Sequence, residues 1–126
     1  MISMPDPIEK AIADIAAFAE ASQRLAERLH QQVVWGAEDV ERLRTGMSMA
    51  DACRATHSAE RSRSLTRIMD EWEASRRAIR ASTVLALLDE GISISDIGKV
   101  FGVSRQLANR LVKDARAMGE RASASV

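Results

Sequence analysis

Apolar residues recur along this chain at spacings of three and four, the period of one helix face, and nowhere in the alternation of a half-buried strand. The pattern predicts an all-α protein. Asp6, Pro7 and Glu9 open the first helix, with Asp6 as N-cap, Pro7 where its missing N–H costs nothing, and Glu9 bonding back. Gly36 is expected to end it after 29 residues, Pro7 to Trp35, or about 43 Å of helix. Along it Ile8, Ile12, Ile15, Ala19, Ser22, Ala26, Leu29 and Val33 form a heptad seam, widened on one side by Phe18 and Leu25. Such a seam packs against a second copy of the chain as a coiled coil or against a later helix of the same chain.

A shorter helix is expected from Glu38 to Arg44, stopped by Gly46, and another from Met49 to Ala55. Ser58 then reads as the N-cap of a stretch from Ala59 to Glu90 that holds no Gly or Pro. Its stripe of Leu65, Ile68, Met69, Trp72, Ile79 and Thr83 swings to Val84, Leu85, Leu87 and Leu88, which implies either two helices bending near Ser75 or one that changes partners. Beyond Gly91 the signals sharpen. Ser93 caps a helix from Ile94, and Asp96 completes the capping box. Gly102 closes that helix in the left-handed conformation, Val103 lies inside the turn, and Ser104 caps a second helix from Arg105 to about Met118. The tail ERASASV reads as disordered.

The stretch from Gly91 to Lys113 resembles the helix-turn-helix of bacterial DNA-binding proteins, in the version of resolvase and invertase C-terminal domains, sigma-factor region 4 and many small repressors. Ile97, Gly98, Phe101, Gly102, Val103, Ser104 and Leu111 carry the resemblance, which covers about 40 residues from Arg76 to Ala117. Gly98 stands where Ala is usual, at a cost of about 1 kcal/mol in a helix interior unless a crossing helix comes very close. Ala108 stands where Val or Ile is usual, which predicts a looser core. The resemblance implies that the second helix lies in the major groove, with Arg105, Gln106 and Asn109 reading bases and Ser104 and Lys113 on phosphates. Arg110 falls on the same side. Arg76, Arg77 and Arg80, at the start of a preceding helix from Arg76 to Glu90, are further candidates for phosphate contact.

One earlier stretch echoes this one. GMSMADA from Gly46 repeats Gly, Ser and Asp of GISISDI from Gly91 at an offset of 45, and Leu43 matches Leu88. It is either a degenerate second helix-turn-helix or an independent capping box, since Thr56 and His57 stand where Phe101 and Gly102 close the later turn and Arg63 stands at the position of Ala108.

Composition changes this picture in few places. Phe18, Trp35, Trp72 and Phe101 are the only aromatics, so the core is aliphatic and Ala-rich. Net charge is zero, but residues 1–75 carry 9 basic and 13 acidic side chains while 76–126 carry 9 and 5. The basic half is the half with the helix-turn-helix, as phosphate attraction requires. The abundance of Arg and Ala suggests a GC-rich bacterial source. The lone Cys53 allows no internal disulfide, reads as a small buried residue, and fits a reducing cytoplasm. The start MISMPDPIEK has no signal-peptide pattern, and no apolar run reaches membrane-spanning length.

Catalytic chemistry is not legible. His30 and His57 lack Cys or carboxylate neighbours at metal-ligand spacing, and no phosphate loop, nucleophile elbow or acid pair occurs. No tyrosine exists for a tyrosine recombinase, and residues 1–75 do not encode a serine-recombinase catalytic domain. The reading is therefore a helical assembly region over 1–75, a three-helix DNA-binding unit over 76–118 and a disordered tail over 119–126. The expected protein is a cytoplasmic, nucleoid-associated homodimeric transcription regulator without enzyme activity, metal or cofactor. It binds double-stranded DNA, with the acidic N-terminal half free for a protein partner. The alternatives are a helix-turn-helix that docks a protein, as in an antitoxin or an RNA polymerase accessory, and an architectural or segregation DNA-binding protein.

Overall fold

Asp6 starts the first helix as its chemistry requires, its carboxylate accepting from the Ile8 N–H and its carbonyl from the Lys10 N–H, both at 3.0 Å. The computed structural model describes residues 6–124. Among them are five helices and no strand: α1 Pro7–Arg44, α2 Met49–Ala55, α3 Ser58–Asp89, α4 Ile94–Phe101 and α5 Arg105–Ala124. These divide into two units. One takes α1 through Phe18 together with the chain from Ser75 on, and the other is Ala19–Ala74. A division is thus found beside residue 75, but the first turns of α1 belong with the C-terminal unit.

In three places the helix boundaries differ from those expected from the sequence. Gly36 does not end α1, which runs on through the expected separate helix at 38–44 to Arg44. Its φ is not positive, and the true stop is Gly46 at φ +100°. A mid-helix glycine costs about 1 kcal/mol; here the residues on either side of it are tied down. Trp35 lies under two guanidinium groups, Arg28 at 4.5 Å and Arg61 at 3.9 Å from the ring centroid. Asp39 binds Arg42 at 2.9 Å and Arg61 at 3.5 Å. Second, Ser58 lies inside α3 and is not its N-cap, because His57 turns the chain at φ +52° and its carbonyl already accepts from the Arg61 N–H. Third, α5 continues through Gly119 to Ala124, so residues 119–124 are helical; the last two lie outside the described residues. Gly119 serves packing there, since a Cβ would stand 3.4 Å from Leu85 Cδ1.

The stripe that swings along α3 belongs to one helix that changes partners. Arg61, Leu65, Ile68 and Trp72 are half-buried in the Ala19–Ala74 unit, where the Trp72 indole N–H donates to Ser22 Oγ at 3.0 Å. From Ala78 to Leu88 no residue is fully exposed. A helix apolar almost all round is one enclosed by neighbours. Its two hydroxyl side chains are satisfied, Ser82 and Thr83 both donating to the Ile79 carbonyl.

The face α1 buries within the chain is one residue removed from the expected seam. Ala11, Ala21 and Arg28 are buried and Phe18, Leu25, Trp35 and Asp39 half-buried, again at spacings of three, four and their sums. Phe18 and Leu25 therefore belong to the intrachain face and not to the seam they were expected to widen. Ile8, Ile12, Ile15, Leu29 and Val33 are left 48–71% exposed. Val40 and Leu43, both exposed, continue their heptad register beyond Gly36. Cys53, expected to be buried, is exposed, because α2 turns Ala52 inward.

No atom lies within 4 Å of a Cβ built on Gly36. Gly36→Ala should therefore raise stability by about 1 kcal/mol, read as a higher urea midpoint at unchanged slope. A lower midpoint would mean that this position needs a glycine.

Candidate nucleic-acid interface

The Ser93 hydroxyl accepts from the Asp96 N–H at 3.1 Å and opens α4; Gly102, at φ 68° and ψ 33°, closes it. The Ser104 hydroxyl accepts from the Leu107 N–H at 3.1 Å and opens α5. Each cap satisfies a backbone donor that a helix start leaves free. Two side chains hold the unit's centre: Val84 of α3 and Ile97 of α4 are fully buried, worth about 1.5–3 kcal/mol apiece. Ala81, Val112 and Ala115 complete the buried cluster, with Leu85, Leu88, Ile92, Phe101 and Leu111 packed on it.

Gly98 and Ala108 explain each other. A Cβ on Gly98 would stand 3.1 Å from the Val103 carbonyl oxygen and 3.4 Å from Ala108 Cβ, so the glycine lets the turn and α5 come close to α4. The Val103 N–H donates to the Gly98 carbonyl at 2.8 Å, the bond that closes the cap after Gly102. Ala108 is fully buried. The expected looser core is thus not found: two small residues face each other where two larger ones would stand farther apart.

Burial of Ala108, Val112 and Ala115 fixes which side of α5 faces out. At about 100° per residue, Arg105, Gln106, Asn109, Arg110 and Lys113 cover an arc of roughly 140° opposite the core. All five are exposed, and among the described residues none is hydrogen-bonded or ion-paired through its side chain. That leaves guanidinium, amide and ammonium donors available together on one helix face. Ser104 is also exposed, but its hydroxyl oxygen is committed to the cap.

The three α3 arginines differ from expectation. Because α3 begins at Ser58, Arg76, Arg77 and Arg80 sit in mid-helix and gain nothing from a helix N-terminus. Arg76 is exposed but already engaged within the chain, Arg77 is exposed, and Arg80 is half-buried. Leu107, not singled out from the sequence, is 37% exposed at the edge of the α5 face. Its signal was Arg110 three residues on, one turn away on the same side of the helix. Among the described residues no three His, Cys, Asp or Glu side chains are grouped to hold a metal, and no helix is long and apolar enough to cross a membrane.

Residues 74–123 match the family model of the Homeodomain-like domain. No curated protein and no solved structure matches the chain. The matched stretch spans α4 and most of α5, so this part of the chain is similar to a homeodomain-like helix-turn-helix domain, a type that points to DNA binding.

Ala108→Val, a change towards the residue more usual in such turns, should destabilise this domain by about 1–3 kcal/mol, because Ala108 is fully buried against Gly98 and the added methyls overpack that contact. Urea denaturation followed by circular dichroism measures it; an unchanged midpoint would mean the crossing has slack.

Proposed function

We propose that this protein is a sequence-specific DNA-binding transcription regulator that works as a homodimer, with the N-terminal part of α5 in the major groove. The observation that supports it is the unpartnered set Arg105, Gln106, Asn109, Arg110 and Lys113 on the outer face of the second helix of a helix-turn-helix. Arg pairs bidentately with guanine, and Asn or Gln with adenine, so Arg105, Gln106 and Asn109 at the start of α5 are the base readers. Lys113, two turns on, is a phosphate contact, as are Arg110 and the exposed Arg77. Leu107 offers an apolar contact for a thymine methyl.

The dimer reading rests on α1. Ile8, Ile12, Ile15, Leu29 and Val33 share one heptad register and are exposed in the single chain. Ile12, Val33 and Val40 occupy one seam position of the heptad, and Ile8, Ile15, Leu29 and Leu43 the other, so both are apolar along the exposed stripe. A two-fold protein reads a two-fold site, so the paired α1 helices would set the spacing of the half-sites.

Selection from random duplex DNA at about 0.15 M salt tests the first part, since such salt suppresses bare phosphate attraction. An inverted repeat with half-sites about 10 base pairs apart, or a multiple, is the expected product. Arg105→Ala and Asn109→Ala should each relax preference at single positions by about 1–3 kcal/mol, while Lys113→Ala weakens all sequences alike and lowers the salt slope by about 1. Selection of no sequence by the folded protein would sink this reading. For the second part, Leu29→Glu with Val33→Glu should convert a sedimenting dimer to a monomer; a monomer before substitution would refute the α1 pairing.

A further inference from the structure

The echo between GMSMADA and GISISDI is more than a shared capping box. After α3, Gly91 turns the chain at φ +84°, with N–H bonds from Gly91 to Leu88 and from Ile92 to Leu87. After α1, Gly46 does the same at φ +100°, with bonds from Gly46 to Leu43 and from Met47 to Arg42. Ser93 at φ −71°, ψ 157° and Ser48 at φ −67°, ψ 154° then cap α4 and α2, each accepting at 3.1 Å from an Asp N–H three residues on. A left-handed residue follows each short helix, Gly102 as the C-cap of α4 at φ 68° and His57 at φ 52°, one residue past the right-handed C-cap Thr56 of α2. The Gly102 and His57 N–H groups donate to Lys99 and Arg54. Every one of these correspondences has the same offset, 45 residues. An isolated capping box would not reproduce the turn before it and the turn after it.

Past the left-handed residue the two segments differ in the length of the turn. Helix α5 begins three residues after Gly102, whereas α3 begins directly after His57. The tighter turn omits two residues, and beyond it the burial pattern realigns at an offset of 47. Arg61, Leu65 and Ile68, half-buried, take the places of the buried Ala108, Val112 and Ala115. The positions facing out on α5 then correspond to Ser58, Ala59, Ser62, Arg63 and Thr66 on α3, and Arg67, one turn after Arg63, extends the same face at the position of Asp114. All six are exposed, and among the described residues none of the five polar ones has a side-chain hydrogen bond or ion pair.

We propose that residues 36–68 form a second, tightened helix-turn-helix whose outer face, Ser58 to Arg67 of α3, binds the phosphate backbone of double-stranded DNA. Two guanidinium groups and three hydroxyls are donors suited to phosphate oxygens. No Asn or Gln stands among them, so the face is built for backbone attachment and not for reading adenine. It turns acidic past Arg67, at Asp70 and Glu71, which limits it to the first three turns of α3. Arg61 is excluded because Trp35, Asp39 and Arg28 already engage it.

This inference rests on the DNA-binding reading above, and the test separates the two. Binding of the full-length protein to its selected duplex is titrated between about 0.05 and 0.2 M salt for the unsubstituted chain, for Arg63→Ala with Arg67→Ala, and for Arg24→Ala with Arg44→Ala as a control of equal charge. The Arg63/Arg67 pair should lose roughly tenfold in affinity and about 1.8 in the slope of log K against log salt, about 0.9 per phosphate contact. Its selected sequence should not change, and the control should stay within about twofold. Circular dichroism checks that the fold is kept. Unchanged affinity and slope in the Arg63/Arg67 variant, or an equal loss in the control, would overturn the second contact while leaving α5 as the reading helix. Failure of the unsubstituted protein to bind any duplex would overturn both.

Discussion

The approach of α4 to α5 at Gly98 and Ala108 is the constraint on which the helix-turn-helix depends. It sets how far the second helix stands from the first, and the polar arc of α5 inherits its direction from that contact. Two features mark the closeness: a Cβ on Gly98 would stand 3.1 Å from the Val103 carbonyl oxygen and 3.4 Å from Ala108 Cβ, and Ala108 is fully buried. A glycine in a helix interior is costly by itself. Here the cost is offset because the space it vacates is filled by backbone and by Ala108, so dispersion contacts replace the missing side chain.

Local chemistry was legible in the sequence wherever a side chain decides its own backbone. Ser48, Ser93 and Ser104 cap because a hydroxyl beside a free N–H needs no distant partner, and Gly46, Gly91 and Gly102 turn because the left-handed region is open to them. Gly36 and Gly119 misled for the same reason. Both look like stops, and what keeps the helix going lies elsewhere in the sequence: Arg61 over Trp35 in one case, Leu85 against Gly119 in the other. Propensity is a local term, and tertiary contacts of a few kcal/mol override it.

The faces of α1 show a second limit. Two heptad registers one residue apart are both compatible with the sequence, since Ala and Ile fall on one and Ala, Phe, Leu and Trp on the other. Periodicity states that a face exists but not which partner covers it. Large aromatics decided the matter, because Phe18, Trp35 and Trp72 carry more surface than any aliphatic stripe can match and are half-buried within the chain. The isoleucines were left outside. At the candidate site the reverse holds: Arg105, Gln106, Asn109, Arg110 and Lys113 were found from sequence because burial of their neighbours Ala108 and Val112 leaves them a single direction to face.

Zero net charge bears on how such a protein would find its site. Long-range attraction to a polyanion scales with the field of the whole chain, and 18 basic groups set against 18 acidic ones give little of it. Affinity must then come from short-range contacts, where a guanidinium at hydrogen-bond distance from phosphate or guanine is effective whatever the distant charges do. That favours placing unpaired arginines on exposed helix faces, as on α5 from Arg105 to Arg110 and on α3 at Arg63 and Arg67. Several acidic residues are already engaged: Asp51 pairs with Arg54, Asp96 with Lys99, and Asp39 with Arg42 and Arg61. Pairing inside the chain thus separates the charges that stabilise the helices from the charges left for a partner.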